Sequence, residues 1–273
     1  MKRILLYFLV LLVAGFSLGP FLWEWLTSLK SAAEILLLPI SYFPKEITFD
    51  NYLNIFIRQP FARYILNSFI VACGTTFLSL LVGAPAAYAL SRLPLKGKGF
   101  FQKAILLVAL FPPIILVVPL YEMVLSVGLA NNYLVLILPY TALNLPFVIW
   151  VLTGFFRQVP RDIEEAALVD GFSRLGILTK VILPISAPAL ATTAILVFIF
   201  SWNEFILALT FMTETSARTI PVGISMLSGV SPYEIPWGQI SAAVVATTLP
   251  LVVVVLFLQR KIIEGLTAGA VKG

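Results

Sequence analysis

Six stretches of this chain are too long and too apolar to be left in water, and they decide what it can fold into. The runs Ile4–Thr27, Tyr64–Leu90, Phe100–Val127, Leu134–Phe156, Ile185–Phe211 and Ile240–Ile262 each reach or exceed the roughly 20 residues that a helix needs to cross a hydrocarbon core. With 60% hydrophobic and 11% charged residues and a mean hydropathy of +1.02, the chain reads as an all-α polytopic membrane protein of about six transmembrane helices. In 273 residues little remains for a folded domain outside the bilayer. The first run follows Lys2 and Arg3, yet it is too long for a secretory apolar segment and shows no small-residue cleavage site before Trp23 and Trp25, so it is read as a retained span. Pro20, after Gly15 and Gly19, is expected to kink it.

Basic residues orient the spans. Lys2, Arg3, Arg92, Lys96, Lys98, Lys103, Arg157, Arg161, Arg174, Lys180, Arg260, Lys261 and Lys272 fall on one side, thirteen of the eighteen; Lys30, Lys45, Arg58, Arg63 and Arg218 fall on the other. An even number of spans with this bias puts both termini in the cytoplasm. It also accounts for a pI near 9.4 without a nucleic-acid-binding patch. Cys73, in the second run, forms no internal disulfide and is expected to pack as a small hydrophobe. There is no histidine, no phosphate-binding loop and no Cys/His metal set. The chain therefore carries no catalytic residue, metal ligand or cofactor site of its own that the sequence reveals, and any ATP hydrolysis falls to another chain.

Within the runs, Pro85, Pro112, Pro113, Pro119, Pro139, Pro146, Pro188 and Pro250 are expected to interrupt helices. Gly74, Ser79, Gly83, Ala84 and Ala87 would let the second span pack closely on a neighbour. Ser201, Trp202, Asn203 and Glu204 form a polar cluster in the fifth run. Trp202, Asn203, Glu204 and, in the fourth run, Asn144 are candidates to line a substrate path. For Glu204 the alternative is a carboxylate bonded to the backbone of a broken helix. On the outer side, Lys30–Arg63 has the length of a small cap. Thr213–Gly238 carries prolines with Tyr233 and Trp237, and is read either as connection or as a contact loop around Ala217–Gly223.

The most informative polar interruption is Pro160–Pro184, PRDIEEAALVDGFSRLGILTKVILP. Pro160 can open a helix, and Asp162, Glu164 and Glu165 suit its positive end. Ile163, Ala166 and Ala167 share a small apolar face, and Gly171 ends the helix in a left-handed conformation. Ser173 caps a second helix whose Leu175, Leu178 and Ile182 share a face until Pro184. Two short helices joined at a glycine make a knob suited to a cleft on a partner. An interfacial helix lying on lipid headgroups is the alternative, but such helices favour a basic polar face, and this one is acidic and alanine-rich.

The spacing Glu165-Ala166-Ala167, three residues, Gly171, nine residues, Val181, one residue, Leu183-Pro184 resembles the EAA loop of the membrane subunits of ABC importers, whose pattern has Ile where Val181 stands. The segments from Asn67 (NSFIVACGTTFLSLLVGAPAAYALSR), from Gly128 and from Phe200 (FSWNEFILALTF) look like carbohydrate ABC permeases of the maltose-system MalG type. That resemblance implies a type I ABC importer permease fold. It implies a first helix and external segment at residues 1–63, a five-helix core at 64–263 with its cytoplasmic loop at 157–184, and a cytoplasmic tail at 264–273. Glu165, Ala166, Ala167, Asp170, Gly171, Leu175, Leu183 and Pro184 would then couple to an ATPase. The implied partners are a second homologous permease, two cytoplasmic ATPase subunits holding ATP and magnesium, an external solute-binding protein, a sugar or related polyol or glycoside, and the lipid of a bacterial inner membrane. A secondary transporter driven by an ion gradient is the competing class, but the sequence shows no internal repeat, and Glu24, Glu122 and Glu204 all lie toward outer span ends.

Overall fold

A computed structural model describes residues 2–227 and 235–270. Every regular element among them is helical: α1 Lys2–Ser28, α2 Ala32–Ile35, α3 Asp50–Arg58, α4 Phe61–Arg92, α5 Lys98–Ala109, α6 Val117–Ser126, α7 Leu134–Gln158, α8 Arg161–Val169, α9 Arg174–Ile177, α10 Leu183–Ile185, α11 Ala187–Asn203, α12 Ile206–Phe211, α13 Ile220–Ser225 and α14 Trp237–Ala270. Four of these are long and apolar enough to cross a membrane, six if each of two bent pairs is one span. The third run is one such pair, with α5 and the segment Pro113–Ser126 meeting at 83°. The other pair is Arg174–Ile185 with Ala187–Asn203, at 82°.

Most prolines of the apolar runs leave their helices continuous. Pro20, Pro85, Pro139, Pro146 and Pro250 lie inside continuous α1, α4, α7 and α14. Pro188 sits in the first turn of α11, where no N–H is missed. Two breaks fall at prolines: one at the Pro112-Pro113 pair, where two adjacent residues without N–H groups remove consecutive rungs of the helix ladder, and one at Ser186, just before Pro188. The fifth run is also not one helix. It divides at Glu204, whose backbone is extended (φ −68°, ψ 131°).

Contacts divide the chain into two compact units, residues 1–65 with 220–252 and residues 66–219 with 253–273. In the first, the connection after α1 is tied down by polar bonds. Asn51 Nδ2 donates to Ser28 O at 2.9 Å and Lys30 O at 2.8 Å, and Glu34 accepts from Ser41 Oγ and Lys45 N, both at 2.8 Å. The Lys45 N–H foremost, with the Ser41 hydroxyl, Lys30 and Lys45 adding to it, outweighs desolvation and holds the Glu34 carboxyl below its ordinary value. The stretch around Ala217–Gly223 holds the short helix α13. Ile220 and Val222 are buried, and a Cβ on Gly223 would stand 2.3 Å from the Tyr64 ring. Tyr233 and Pro232 lie outside the described residues.

In the second unit, the small-residue expectation for the second span holds. A Cβ on Gly74 would meet Ile137 at 2.8 Å, and one on Gly83 would meet Val148 at 2.5 Å, so α4 and α7 touch where only glycine fits. Cys73 is exposed, on a face of α4 that α7 does not cover. The core runs from Ala84, Ala87 and Tyr88 through Val148, Leu152 and Phe156 to Ala167, Ile177, Leu178, Ile182, Ala189 and Val197. The polar loop between α7 and α11 thus contributes side chains to the same core as the spans.

Candidate functional site

The loop folds as the helix–glycine–helix knob its sequence predicts. Helix α8 starts after Pro160 with Asp162 and Glu164 in its first turn. It ends on Gly171 at φ +83°, with Phe172 N–H bonding Ala167 O at 3.0 Å and Gly171 N–H bonding Leu168 O at 3.1 Å. This pair of bonds defines a Schellman turn, which requires the left-handed residue. No atom lies within 4 Å of a Cβ on Gly171, so backbone conformation and not space selects glycine. Ser173 then caps α9 by accepting from Gly176 N at 3.2 Å.

Past α9, residues Leu178–Ile182 form a π-helical turn, and Leu183 N–H bonds Leu178 O, five residues back. The hydrogen-bond register has therefore slipped before Pro184, which enters α10 in its first turn, where no donor is needed. Pro184 does not end the helix as the sequence suggested. The break comes at Ser186.

The knob has two faces. Ala167, Ile177, Leu178 and Ile182 are buried in the core, and Ile177 takes the place that spacing assigned to Leu175. Glu165, Ala166, Asp170, Gly171, Leu175 and Pro184 are exposed, and Leu183 is half-buried. Ile163, Leu168, Val169, Phe172 and Leu175 add exposed apolar surface beside them, Val169 at 88% and Leu175 at 68%. Of the residues expected to couple, Ala167 alone faces fully inward.

Glu164 fixes the knob to the spans. Its side chain is 8% exposed; Oε1 accepts from Tyr88 Oη at 2.7 Å and Arg174 Nη1 at 2.9 Å, and Oε2 stands 3.8 Å from Arg92 Nε. The Arg92 guanidinium also bonds the carbonyls of Phe156 and Val159 at the end of α7. One carboxylate thus joins α4, α8 and α9, and one guanidinium joins that carboxylate to α7. The sequence marks Arg92 only as one of the orienting basic residues and Tyr88 not at all, although Glu164 lies three residues before inward-facing Ala167 and shares its face. A carboxylate on that face needs a buried partner.

The residues expected along a path divide differently. Glu204 and Asn144 line one cavity of about 460 Å³ together with Tyr140, Phe147, Trp150, Phe200 and Ser201. Glu204 also closes the helix break, accepting from Leu207 N at 2.9 Å, Ala208 N at 3.2 Å and the Tyr140 hydroxyl. Trp202 is buried, stacked on Phe198 at 5.4 Å, and Asn203 is exposed, with its amide on Ile199 O. Neither lines the cavity. Tyr140 was missed because a tyrosine amid apolar residues gives no signal until the fold brings it to Glu204. Among the described residues no cluster of His, Cys, Asp or Glu could hold a metal ion.

A family model described as "Binding-protein-dependent transport system inner membrane component" matches residues 79–267. The sulfoquinovosyl glycerol transport system permease protein SmoH of Agrobacterium fabrum is 43% identical over 97% of this chain and 91% of its own length. The trehalose/maltose transport system permease protein MalG of Thermococcus litoralis is 42% identical over 100% of this chain and 98% of its own. Among solved structures, a chain of a bacterial ABC transporter involved in the import of the acidic polysaccharide alginate superposes with a TM-score of 0.79 at 23% identity, covering 95% of each chain.

Proposed function

We propose, because this chain belongs to the family of binding-protein-dependent transport system inner membrane components, that it is the permease through which a sugar, or a related polyol or glycoside, enters a bacterium. The knob carries this reading. A rigid helix–glycine–helix projection, apolar and acidic outside and bolted to two spans by Glu164 and Arg92, can receive a push and pass it into the bundle. Glu165, Ala166, Asp170, Gly171, Leu175 and Pro184 form the surface that meets an ATPase, with Ala167 and Leu183 behind it. ATP and magnesium belong to that partner, and this chain binds neither. Two such ATPases serve this permease and a second, homologous one, and an external solute-binding protein delivers the substrate.

The sugar assignment draws on relatives whose names specify trehalose, maltose and sulfoquinovosyl glycerol transport. The cavity is of a kind sugars use, since Phe147, Trp150 and Phe200 offer ring faces while Asn144, Tyr140, Ser201 and Glu204 offer hydrogen-bond partners. The thirteen-to-five division of basic residues puts the knob and both termini in the cytoplasm, beneath the inner membrane. On this reading residues 1–63 are an anchor with an outer cap, 64–263 the working core and 264–273 a cytoplasmic tail. The test is ATP hydrolysis by the complex purified from its host in nanodiscs. Its own binding protein loaded with trehalose or maltose is expected to stimulate hydrolysis severalfold over the unloaded protein. A panel of sugars without effect, alongside stimulation by a different solute class, would overturn the sugar assignment and leave the permease role standing.

A further inference from the structure

Beside the Glu204 cavity, α5 and α7 frame a second groove of about 410 Å³, lined on α5 by Gln102, Ile105 and Leu106 and on α7 by residues from Ile149 to Gln158, apolar toward Ile149 and Trp150 and polar toward Arg157 and Gln158. We propose that this groove binds one anionic glycerophospholipid of the cytoplasmic leaflet, its phosphate at Arg157 and an acyl chain along the apolar end.

Three points lead there. The lining runs along α7 from Ile149 to Gln158, nine residues at about 1.5 Å each, or roughly 14 Å. That is about half of a hydrocarbon core roughly 30 Å thick, the depth of one leaflet. On the orientation proposed above, the polar end faces the cytoplasm, the setting in which basic pockets between spans take anionic headgroups. Arg157 is exposed and has no ion pair among the described residues, so the groove ends in an uncompensated positive charge.

Gly154 completes the shape. It lines the groove, and nothing lies within 4 Å of a Cβ placed on it, so packing does not require a glycine there. Its missing side chain leaves room in the groove, and a larger residue would fill that room without meeting the core. An acyl chain suits such an apolar trough better than a sugar, whose hydroxyls would face Ile105, Leu106 and Ile149 unpaired. The site requires only that α5 and α7 span the membrane with Arg157 inside, so it does not depend on which solute is carried.

Native mass spectrometry of the complete importer, washed in detergent and titrated with phosphatidylglycerol or phosphatidylcholine, tests the assignment. The wild-type complex should retain phosphatidylglycerol at least tenfold more strongly than phosphatidylcholine. Arg157→Gln and Gly154→Leu should each cut that retention about tenfold, whereas Arg58→Gln, which removes an outer arginine, should not. Equal retention of both lipids by the wild-type complex would overturn the proposal, as would unchanged retention in both groove variants. A Gly154→Cys chain in a Cys73→Ala background should also stay uncrosslinked to the second permease. Efficient crosslinking with no retained lipid would assign the groove to the subunit interface instead.

Discussion

Replacing Glu164 by alanine should loosen the knob while leaving the spans folded. The Tyr88 hydroxyl at 2.7 Å makes a hydrogen bond to a charged acceptor, worth about 1.5–3 kcal/mol. The Arg174 pair adds little, because that side chain is 52% exposed and solvent-screened pairs are worth about 0.2–1 kcal/mol. The larger consequence falls on Arg92, whose side chain is 4% exposed and whose only counter-charge among the described residues is Glu164. Removing one member of a buried pair costs about 3–5 kcal/mol. Because Arg92 keeps the Phe156 and Val159 carbonyls, the lower figure applies, about 3 kcal/mol. That figure is for removing the whole carboxylate, the Tyr88 bond included, so at 1.4 kcal/mol per decade it is roughly a hundredfold in the opening equilibrium. Hydrogen exchange of the assembled importer, followed on peptides covering residues 161–177, should therefore quicken about a hundredfold in Glu164→Ala and about tenfold in Glu164→Gln, which keeps an acceptor but not the charge. Exchange in peptides of α4 and α7 should change far less. Unaltered protection of residues 161–177 in the alanine variant would refute the claim that this carboxylate fastens the knob.

Gly171→Val should lower the amount of ATPase that co-purifies well below that of Gly171→Ala, because a β-branched residue at φ +83° meets a penalty above the roughly 1–2 kcal/mol of the left-handed region; equal recovery of ATPase in the valine variant would contradict a conformational role. Glu204→Gln leaves one acceptor for the Leu207 or Ala208 N–H and should keep most transport. Glu204→Leu uncaps α12, at about 1 kcal/mol, and should give an assembled complex without transport. Full transport by the leucine variant would exclude a path role, and failure to assemble would assign the residue to the helix break alone. Single cysteines at Ser173 and Glu214 in a Cys73→Ala chain should label from opposite faces of the membrane, and equal reactivity toward an impermeant maleimide in intact cells would contradict the orientation.

Hydropathy and glycine chemistry made much of this legible. The spans, the close approach along Gly74 and Gly83 and the left-handed Gly171 all follow from local rules, since each depends on a residue's own conformation or on helical spacing. What the sequence left hidden depended on pairs remote in the chain. Glu165 stood out through its spacing, yet Glu164 carries the anchoring bonds, because Tyr88 and Arg92 reach it from 76 and 72 positions away. Glu204 was visible as an intramembrane acid, but its capping role required knowing that the fifth run breaks there. Trp202 was grouped with it by adjacency, and the helix turned it into the packing against Phe198. The proline breaks are fewer than the sequence suggests for a related reason: a proline deletes one rung, and the remaining bonds of a long helix carry it through.

Sugar uptake into proteoliposomes tests the central claim most directly. Vesicles carrying the two permeases and their ATPases, with loaded binding protein outside and ATP inside, should accumulate labelled sugar with no ion gradient present. Uptake should stop when ATP is replaced by a non-hydrolysable analogue. Sugar accumulation driven by a proton or sodium gradient in the absence of ATP would contradict the account.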